Sequence, residues 1–414
     1  KFVRRQSFQQ SVPLLLLNCM VIKIRGDRMD KQFATSLLKE LVTMNTVNPP
    51  GNEKVIAEKL RTLFEKNGIE TELVTYEENR LNLIARLKGE EYGPHLGFSG
   101  HMDTVPVGDV KWEHQPFEAE EENGRIYGRG SCDMKGGLAA CVLAMLSLKE
   151  QGLPKKGQIT LLATVGEEVA AVGAKQLTEL GYLDDLDALI IAEPTNNNIT
   201  TCHKGALWPQ IITYGKTSHG SMPEAGVNAV LHMHEIISRI MSNEFQMEYE
   251  EDELLGSPTC SVNVIHGGSG TNVVPDRCSA NIDIRTVPSQ KHENIIKRLE
   301  RLLLSVKTKY PDLEAEIKLL NDLPPLKTSS DDPFVKMLQN TLSEHGKPTE
   351  IKGITAYTDA SKFVQVEKDL PIVILGPGDM KMAHQPDEYI ELDSYFESID
   401  LFQRIAQNFT ESSI

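Results

Sequence analysis

The sequence predicts an α/β protein whose mixed, largely parallel sheet is interrupted by a smaller α+β unit. Helical segments alternate with apolar, strand-like segments over residues 29–205, a pattern typical of a sheet that helices cover on both faces. Over residues 206–316 the order becomes strand, helix, two strands, helix, strand, which is typical of a ferredoxin-like fold. The first pattern returns over residues 317–414. We therefore expect the second unit to be inserted into the first.

The elements of the first unit can be placed from the spacing of apolar residues. Helical spacing predicts helices in "MDKQFATSLLKELVTM", "EKVIAEKLRTLFEKNG" (ending at Gly68) and "MKGGLAACVLAMLSLKEQG". Apolar runs predict strands in "IETELVTY", "LNLIARL", "HLGFSGHMD", "GQITLLATV" and "LDALIIAEP". After the insert we expect a helix in "DDPFVKMLQNTLSEHG", a strand in "LPIVILGPG" and a last helix from about Leu392.

The insert differs from the rest of the chain in its predicted secondary structure. Alternating strands are predicted in "ALWPQIITYGKTSHG" and "PTCSVNVIHGGSGTNVVPDRCSANIDIRTV", and helical patterns cover residues 226–242 and 289–308. The chain of 414 residues is longer than one hydrophobic core usually serves, which agrees with two units.

Composition restricts the class of partner. The sequence has 43 Lys and Arg against 59 Asp and Glu, a formal net charge of −16. Nucleic acids and anionic membranes are bound through basic surfaces, so we expect neither as a partner. An acidic chain does suit a protein that binds cations. The six cysteines form no CxxC pair, so we expect reduced thiols and a cytoplasmic protein.

The first 28 residues need a separate interpretation. Basic residues precede an apolar stretch of signal-peptide length in "KFVRRQSFQQSVPLLLLNCMVIKIRGDR", but this stretch lacks a small-x-small cleavage site and is too short to span a bilayer. We expect residues 1–28 to be an extension outside the fold, with an export leader as the alternative.

Candidate metal ligands follow the predicted strands. They are His101 and Asp103 in "GHMDTVP", Asp133 in "GRGSCDMKGG", Glu167 and Glu168 in "TVGEE", Glu193 in "IIAEPT" and His384 in "AHQPDEY". Taken singly, each of these residues has an ordinary interpretation. Asp133 could cap the helix that follows it, and the adjacent glutamates could be charged residues on the solvated surface. The histidines could be ordinary loop residues that bind nothing. The two histidines and three of the carboxylates would combine into one ligand set at strand ends, where α/β sheets bind ligands. Such a set suits zinc in particular.

These segments, in this order, resemble the M20 metallopeptidase and deacylase family, which includes succinyl-diaminopimelate desuccinylases, acetylornithine deacetylases, aminoacylases and carboxypeptidases. The resemblance runs from about residue 30 to the C-terminus. It implies a zinc-dependent exopeptidase-like catalytic domain over residues 29–205 and 317–414, with residues 206–316 as a lid and dimerisation domain.

The resemblance also implies a role for each ligand. Asp133 would bridge two zinc ions, which cobalt may replace; His101 and Glu193 would complete one site, and Glu168 and His384 the other. Asp103 would hydrogen-bond His101 and orient it. Glu167 would be the general base and acid. Neighbouring residues on an extended chain point in opposite directions, so the two glutamates can have separate tasks. The family also places a cis peptide after the bridging aspartate, here Asp133-Met134.

Residues of the insert, and Thr358 beyond it, receive implied roles as well. His219 would reach the partner subunit's site in a homodimer and help to hold the oxyanion. Asn272, Arg285 and Thr358 would contact substrate, Arg285 by gripping its carboxylate with a planar fork; the alternative for Arg285 is an exposed strand-end salt bridge. Cys132, beside Asp133, is a remote candidate nucleophile without a paired histidine.

The implied reaction is hydrolysis of an amide bond in an N-acyl amino acid or small peptide. Within this family, the sequence as a whole most resembles the N-succinyl-L,L-diaminopimelate desuccinylases of lysine biosynthesis. The segment "SHGSMPEAG" departs from the pattern of such enzymes, so deacylation of acetylornithine or another acylamino acid, and peptidase activity, stay open. A catalytically inactive binding protein is the non-enzyme alternative.

Overall fold

The computed structural model describes residues 30–412, so the predicted extension, 1–28, lies outside the described residues. Within them, the segment Ser131–Glu150 contains an 18-residue stretch apolar enough to cross a membrane by composition, but that stretch is entirely buried in the protein. It is therefore a core helix. The five described cysteines are free, as expected: Cys132, Cys141, Cys202, Cys260 and Cys278.

The described strands are β1 (Glu70–Glu77), β2 (Arg80–Lys88), β3 (Glu91–His101), β4 (Glu120–Glu122), β5 (Arg125–Tyr127), β6 (Lys156–Thr164), β7 (Ala188–Ile191), β8 (Thr200–His203), β9 (Gly205–Tyr214), β10 (Thr259–Gly267), β11 (Arg277–Thr286), β12 (Glu314–Leu323), β13 (Leu326–Lys327), β14 (Lys352–Ile354), β15 (Ile372–Ile374) and β16 (Tyr389–Glu391). The described helices are α1 (Lys31–Thr43), α2 (Lys54–Lys66), α3 (Gly136–Glu150), α4 (Val172–Glu179), α5 (Ala229–Ile240), α6 (His292–Lys309), α7 (Pro333–Glu344), α8 (Ala360–Phe363) and α9 (Leu392–Glu411). Every helix and strand predicted from the sequence has a counterpart here.

The main sheet belongs to the first unit and contains both parallel and antiparallel strand pairs. Its strand order is β1-β2-β6-β3-β7-β15-β8-β13, with β14 beside β8. The central pairs β6–β3, β3–β7 and β7–β15 are parallel, whereas β1–β2 and β2–β6 are antiparallel. The predicted mixed, largely parallel α/β sheet is thus confirmed at the centre. The outer strands β1, β2 and β13 pair in antiparallel fashion, whereas β14 pairs in parallel with β8.

Helices on both faces bury the central strands. All thirteen positions from Gly136 to Leu148 of α3 are buried, and α9 packs beside α3 with Phe402 5.3 Å from Phe98 of β3, measured between ring centroids. Asp30 begins α1 by accepting hydrogen bonds from the backbone N–H groups of Gln32 and Phe33, as an N-cap should. This packing fixes the strands whose ends form the site.

The insert is a four-stranded antiparallel sheet of order β10-β11-β9-β12 with α5 and α6 packed on one face. Its order along the chain, β9-α5-β10-β11-α6-β12, is that of a ferredoxin-like unit. Strand β12 continues to Leu323, beyond the residue 316 at which we expected the insert to end. Most side chains of this edge strand are not buried, so the sequence offers no apolar alternation to mark its end.

Candidate active site

Three parallel strands bring the first candidate ligands to one edge of the sheet. His101 is the last residue of β3, Glu167 and Glu168 follow β6, and Glu193 follows β7. Because β3 pairs in parallel with both β6 and β7, their carboxyl ends meet, which is where open α/β sheets bind ligands. The topology therefore explains why residues far apart in sequence converge.

The inner half of the site is buried. The Nε2 atom of His101 lies 3.1 Å from Oδ1 of Asp133 and 3.7 Å from Oε1 of Glu193. His101 is 1% exposed and Glu193 3%. These three side chains present ligand atoms within 4.8 Å of one another, so they could hold one metal ion.

The outer half of the site shares Asp133 with the inner half. The Nε2 atom of His384 lies 3.2 Å from Oε1 of Glu168 and 3.3 Å from Oδ2 of Asp133. These three ligand atoms also lie within 4.8 Å of one another. In contrast to His101, the side chain of His384 is 51% exposed. The structure thus brings all five predicted ligands together as two groups joined by Asp133.

The electrostatics of this cluster suit bound cations. Burial, together with the neighbouring carboxylates, raises the pKa of Glu193 well above its usual value. Hydrogen bonds to Asp133 and Glu168 raise the pKa of His384 to about 10. Several buried carboxylates in one cluster therefore draw positive charge to the site. Two histidines with three carboxylates are a donor set that zinc accepts, and bound ions would favour the ionised carboxylates.

Asp103 organises the segment that carries the two adjacent glutamates. Its Oδ1 accepts a hydrogen bond from the backbone N–H of Glu167 (3.1 Å), and its Oδ2 accepts bonds from the N–H of Glu168 (3.3 Å) and from Asn48 Nδ2 (2.9 Å). The Nδ1 of His101 lies 3.0 Å from the backbone oxygen of Asp103 and 3.5 Å from its carboxylate. Asp103 is thus next to His101, as the resemblance implies, but the shorter contact is to its main chain.

Sequence reasoning missed a buried ion pair behind the shared ligand. Glu388 accepts hydrogen bonds at Oε1 from the backbone N–H groups of Cys132 (2.9 Å) and Asp133 (3.0 Å), and at Oε2 from Arg129 Nη1 (2.6 Å). Arg129 Nη2 also donates to the backbone oxygen of His384 at 3.3 Å. The pair thus joins the segments that carry Asp133 and His384. Both residues lie inside quoted motifs, yet nothing in the sequence separates them from surface charges.

The turn before α3 has the backbone conformation that the resemblance implies. The Asp133-Met134 peptide bond is cis, as the resemblance implies. The neighbouring Cys132 is buried, and its thiol donates to the backbone oxygen of Asp379 at 3.3 Å. Burial and nearby acids raise the pKa of this thiol well above its usual value. Since a nucleophilic cysteine needs an accessible, low-pKa thiol, Cys132 is not a nucleophile.

Glu167 lines the cleft beside the ligand cluster but makes no hydrogen bond through its carboxylate among the described residues. It is 5% exposed. Burial raises its pKa well above the usual value; His101 opposes the shift, whereas Glu193, Glu168 and Asp359 add to it. A carboxyl group with a raised pKa beside candidate metal ligands suits a group that accepts and returns a proton.

The cleft over the cluster has a volume of about 560 Å³ and joins the two units. Its lining residues are Asp133, Glu167, Glu168, Glu193, Trp208, Arg285, Thr355, Ala356, Tyr357, Met380, Ala383 and His384. Arg285 of β11 therefore faces the same cavity as the ligands, as predicted. Its Nε lies 2.9 Å from Oδ1 of Asp283 in the same strand, so the ion pair of the alternative interpretation is present as well and orients the guanidinium.

Thr358, which the resemblance assigns to substrate binding, does not line the cleft in this structure, so its contact with substrate stays a prediction. Thr358 is 0% exposed, and its hydroxyl accepts a hydrogen bond from the backbone N–H of Ala360 at 3.2 Å. The preceding residues Thr355, Ala356 and Tyr357 line the cleft instead. Thr358 is turned inward because its hydroxyl satisfies the first turn of α8.

His219 and Asn272 lie together on the insert, away from the cleft of their own chain. The backbone N–H of Gly220 donates to the oxygen of Asn272 at 2.7 Å, and the hydroxyl of Ser221 lies 2.8 Å from Nδ1 of His219. Both residues are exposed, and neither lines the cavity. Their action on substrate, from this subunit or a partner, stays a prediction.

Comparisons with known proteins agree with the geometry. The model of peptidase family M20/M25/M40 matches residues 97–408. The chain is 34% identical over 403 residues to a probable succinyl-diaminopimelate desuccinylase of Staphylococcus aureus, covering 89% of this chain and 95% of that protein. It is 32% identical over 357 residues to an acetylornithine deacetylase of Vibrio campbellii, covering 86% and 91%.

A solved structure adds a likeness in fold. A dinuclear metal-binding peptidase of the M20 family from Bacillus subtilis superposes with a TM-score of 0.70 at 17% identity, covering 92% of this chain and 98% of that one. At that identity the likeness concerns the fold alone, whereas the family match and the curated relatives extend over most of the chain. The chain therefore belongs to peptidase family M20/M25/M40, the family that its ordered motifs resemble.

Proposed function

We propose that the protein is a metal-dependent hydrolase that cleaves an amide bond in a small N-acyl amino acid or peptide. The observation that carries this proposal is the pair of ligand groups that share Asp133, with Glu167 lining the same cleft. An inactive binding protein would have no need for the complete ligand set together with a buried, unpaired base.

Residues of this chain supply the proton transfer and the orientation. When bound, two zinc ions would polarise the scissile carbonyl and lower the pKa of attacking water toward ~7. Glu167 accepts the proton of that water at its carboxylate and returns it to the leaving amine nitrogen. Arg285 binds the carboxylate of the substrate with its planar guanidinium, which aligns the amide with Glu167.

The names of the relatives suggest the first substrates to test. Proteins about a third identical to this chain are called probable succinyl-diaminopimelate desuccinylase and acetylornithine deacetylase. N-succinyl-L,L-diaminopimelate is therefore our first candidate, N-acetylornithine and other acylamino acids the second, and dipeptides the third. All three contain an amide that a carboxylate-binding group can orient.

A homodimer through the insert is part of the proposal. The strand β10 forms an edge of the inserted sheet and exposes Val264 and Ile265, which are 39% and 54% exposed. An open edge with exposed apolar residues can pair with a second copy. Such pairing would offer His219 a route to the partner's cleft, where it would hold the oxyanion.

A hydrolysis panel with metal-free and metal-loaded protein tests the proposal. The three substrate classes are incubated with protein that has been stripped and then supplied with Zn²⁺ or Co²⁺. We expect hydrolysis of at least one class that depends on the added metal and is lost in Glu167→Gln. Protein that binds neither metal, or a Glu167→Gln variant with full activity, would contradict it.

A further inference from the structure

Two aromatic side chains, Trp208 and Tyr357, line the cleft that holds the candidate ligands; we call this pair the aromatic wall. Trp208 comes from β9 of the insert, whereas Tyr357 precedes α8 of the catalytic unit. Their ring centroids are 6.2 Å apart in an edge-to-face arrangement, a favourable geometry for two aromatic rings. Both line the cavity.

The same two rings hold the guanidinium of Arg285. Its central carbon lies 5.8 Å from the ring centroid of Trp208 and 6.0 Å from that of Tyr357, which are cation–π distances. Asp283 accepts a hydrogen bond from Trp208 Nε1 at 3.0 Å and pairs with Arg285 Nε at 2.9 Å. The arginine is therefore fixed against the aromatic wall rather than free to move in the cleft.

The charge of the lining residues restricts what can bind next to Arg285. Among the described residues that line the cleft, Arg285 is the only cation apart from the candidate ligand His384. The remaining neutral part of the lining includes Ala356, Met380 and Ala383. One fixed cation beside apolar surface matches one carboxylate with an apolar substituent.

We infer that Trp208 and Tyr357 are specificity-determining residues that select an amino acid with an apolar or aromatic side chain on the carboxylate end of the substrate. This inference rests on the proposed function and deepens it: within the acylamino acids, the geometry ranks apolar ones above the two substrates that the names of the relatives suggest. A carboxylate bound at Arg285 places the substituent of its α-carbon against the two rings. The amino-acid end of diaminopimelate would bring a second carboxylate, for which the described lining offers no second arginine or lysine. The ammonium of ornithine would lose water against rings that already contact Arg285.

The test keeps the acyl group constant and varies the amino acid. Metal-loaded protein is assayed with N-acetylglycine, N-acetyl-L-leucine, N-acetyl-L-phenylalanine and N-acetyl-L-ornithine, and with N-succinyl-L,L-diaminopimelate. We expect kcat/KM for the leucine and phenylalanine derivatives to exceed that of the glycine and ornithine derivatives by at least about tenfold, the scale on which apolar pockets discriminate.

Substitutions at the wall assign the preference to it. Trp208→Ala should reduce the leucine-to-glycine ratio of kcat/KM toward one, whereas Trp208→Phe, which keeps an aromatic ring, should retain most of it. Tyr92→Ala removes an aromatic side chain that is fully exposed, and it should leave the ratio as in the wild type. If Trp208→Ala does not fold, competitive inhibition of the wild type by free amino acids replaces it, with L-phenylalanine expected to bind more tightly than L-ornithine.

The outcomes separate this inference from the function on which it rests. If metal-loaded wild type hydrolyses none of the five compounds and no dipeptide, the proposed function fails, and the inference with it. If it hydrolyses dipeptides alone, with no preference for an apolar C-terminal residue, the function stands and the inference fails. If the ornithine or diaminopimelate derivative is hydrolysed fastest, or if Trp208→Ala keeps the wild-type ratio, the function stands and the aromatic wall does not select the substrate.

Discussion

His101 and His384 occupy matching places on either side of Asp133, yet their surroundings differ. His101 ends a central strand and is 1% exposed, whereas His384 lies in a loop with a backbone φ of +64° and a side chain that is 51% exposed. The inner position is set by the sheet itself. The outer position depends on contacts between loops, among them the bond from Arg129 to the His384 backbone oxygen.

This difference in exposure predicts a difference in metal affinity between the two halves of the site. A ligand at the end of a buried strand is placed by the packing of the whole sheet, so little of its position has to be established when an ion binds. A ligand in an exposed loop has more freedom to lose on binding. We therefore expect the inner half to bind the first metal ion and the outer half to bind a second one more weakly.

The largest effect should come from the residue that both halves share. Asp133→Ala removes a ligand from each group at once, so we expect metal content to fall from two ions per chain to none and activity to become undetectable. Metal analysis after gel filtration measures this. Asp185→Ala, which removes an acid whose side chain is 73% exposed, is the control and should keep both ions.

Glu167→Gln should separate chemistry from binding. The amide keeps the shape of the side chain but cannot accept a proton, so we expect kcat to fall by about 10²- to 10⁴-fold while both metal ions stay bound. Turnover and metal content are measured on the same sample. Loss of metal in parallel with activity would show that Glu167 is a ligand rather than the base.

Substituting each histidine tests the comparison itself. His101→Ala leaves the buried Asp133 and Glu193 without their partner, so we expect the free energy of unfolding of metal-free protein to fall by about 3 kcal/mol. His384→Ala should cost less than about 1 kcal/mol because that side chain is half exposed. Urea denaturation measures both values. Equal losses would remove the distinction between the two halves.

Among the substitutions expected to alter metal binding, the smallest effect on it should come from the ion pair behind the site. Glu388→Gln weakens the hydrogen bonds to the Asp133 backbone and to Arg129 without removing a ligand. We therefore expect the affinity for the second metal ion to fall about 10- to 100-fold, as when residues that orient metal ligands are substituted. Chelator competition measures it. Gln403→Leu, at a buried hydrogen bond to Ser147 on the far side of α3, is the control for general destabilisation and should leave that affinity unchanged.

Much of this architecture was predictable because apolar spacing and strand-end polar residues are local signals. The strand "GQITLLATV" and the helix "MKGGLAACVLAMLSLKEQG" are mostly apolar in the sequence and mostly buried in the structure. The five ligands were predictable as a set because each follows a recognisable strand or motif. The short strand β8, by contrast, is formed by polar residues, Thr200–His203, that are all buried, and no apolar pattern marks it.

What the sequence could not supply are contacts between residues distant along the chain. Arg129 and Glu388 are separated by more than half of the chain, and only the fold makes them a buried pair. Trp208 and Tyr357 come from different units, so their shared contact with Arg285 has no local signature. Tyr357 rather than Thr358 lines the cleft, and no periodicity in such a turn indicates which side chain faces it.

Titration of metal-free protein with Zn²⁺, counting the ions bound per chain, tests the central claim most directly. We predict two ions of unequal affinity for the wild type, the tighter ion alone for His384→Ala, and none for Asp133→Ala. A wild type that binds a single ion, or an Asp133→Ala variant that still binds two, would contradict a site built from two halves that share one aspartate.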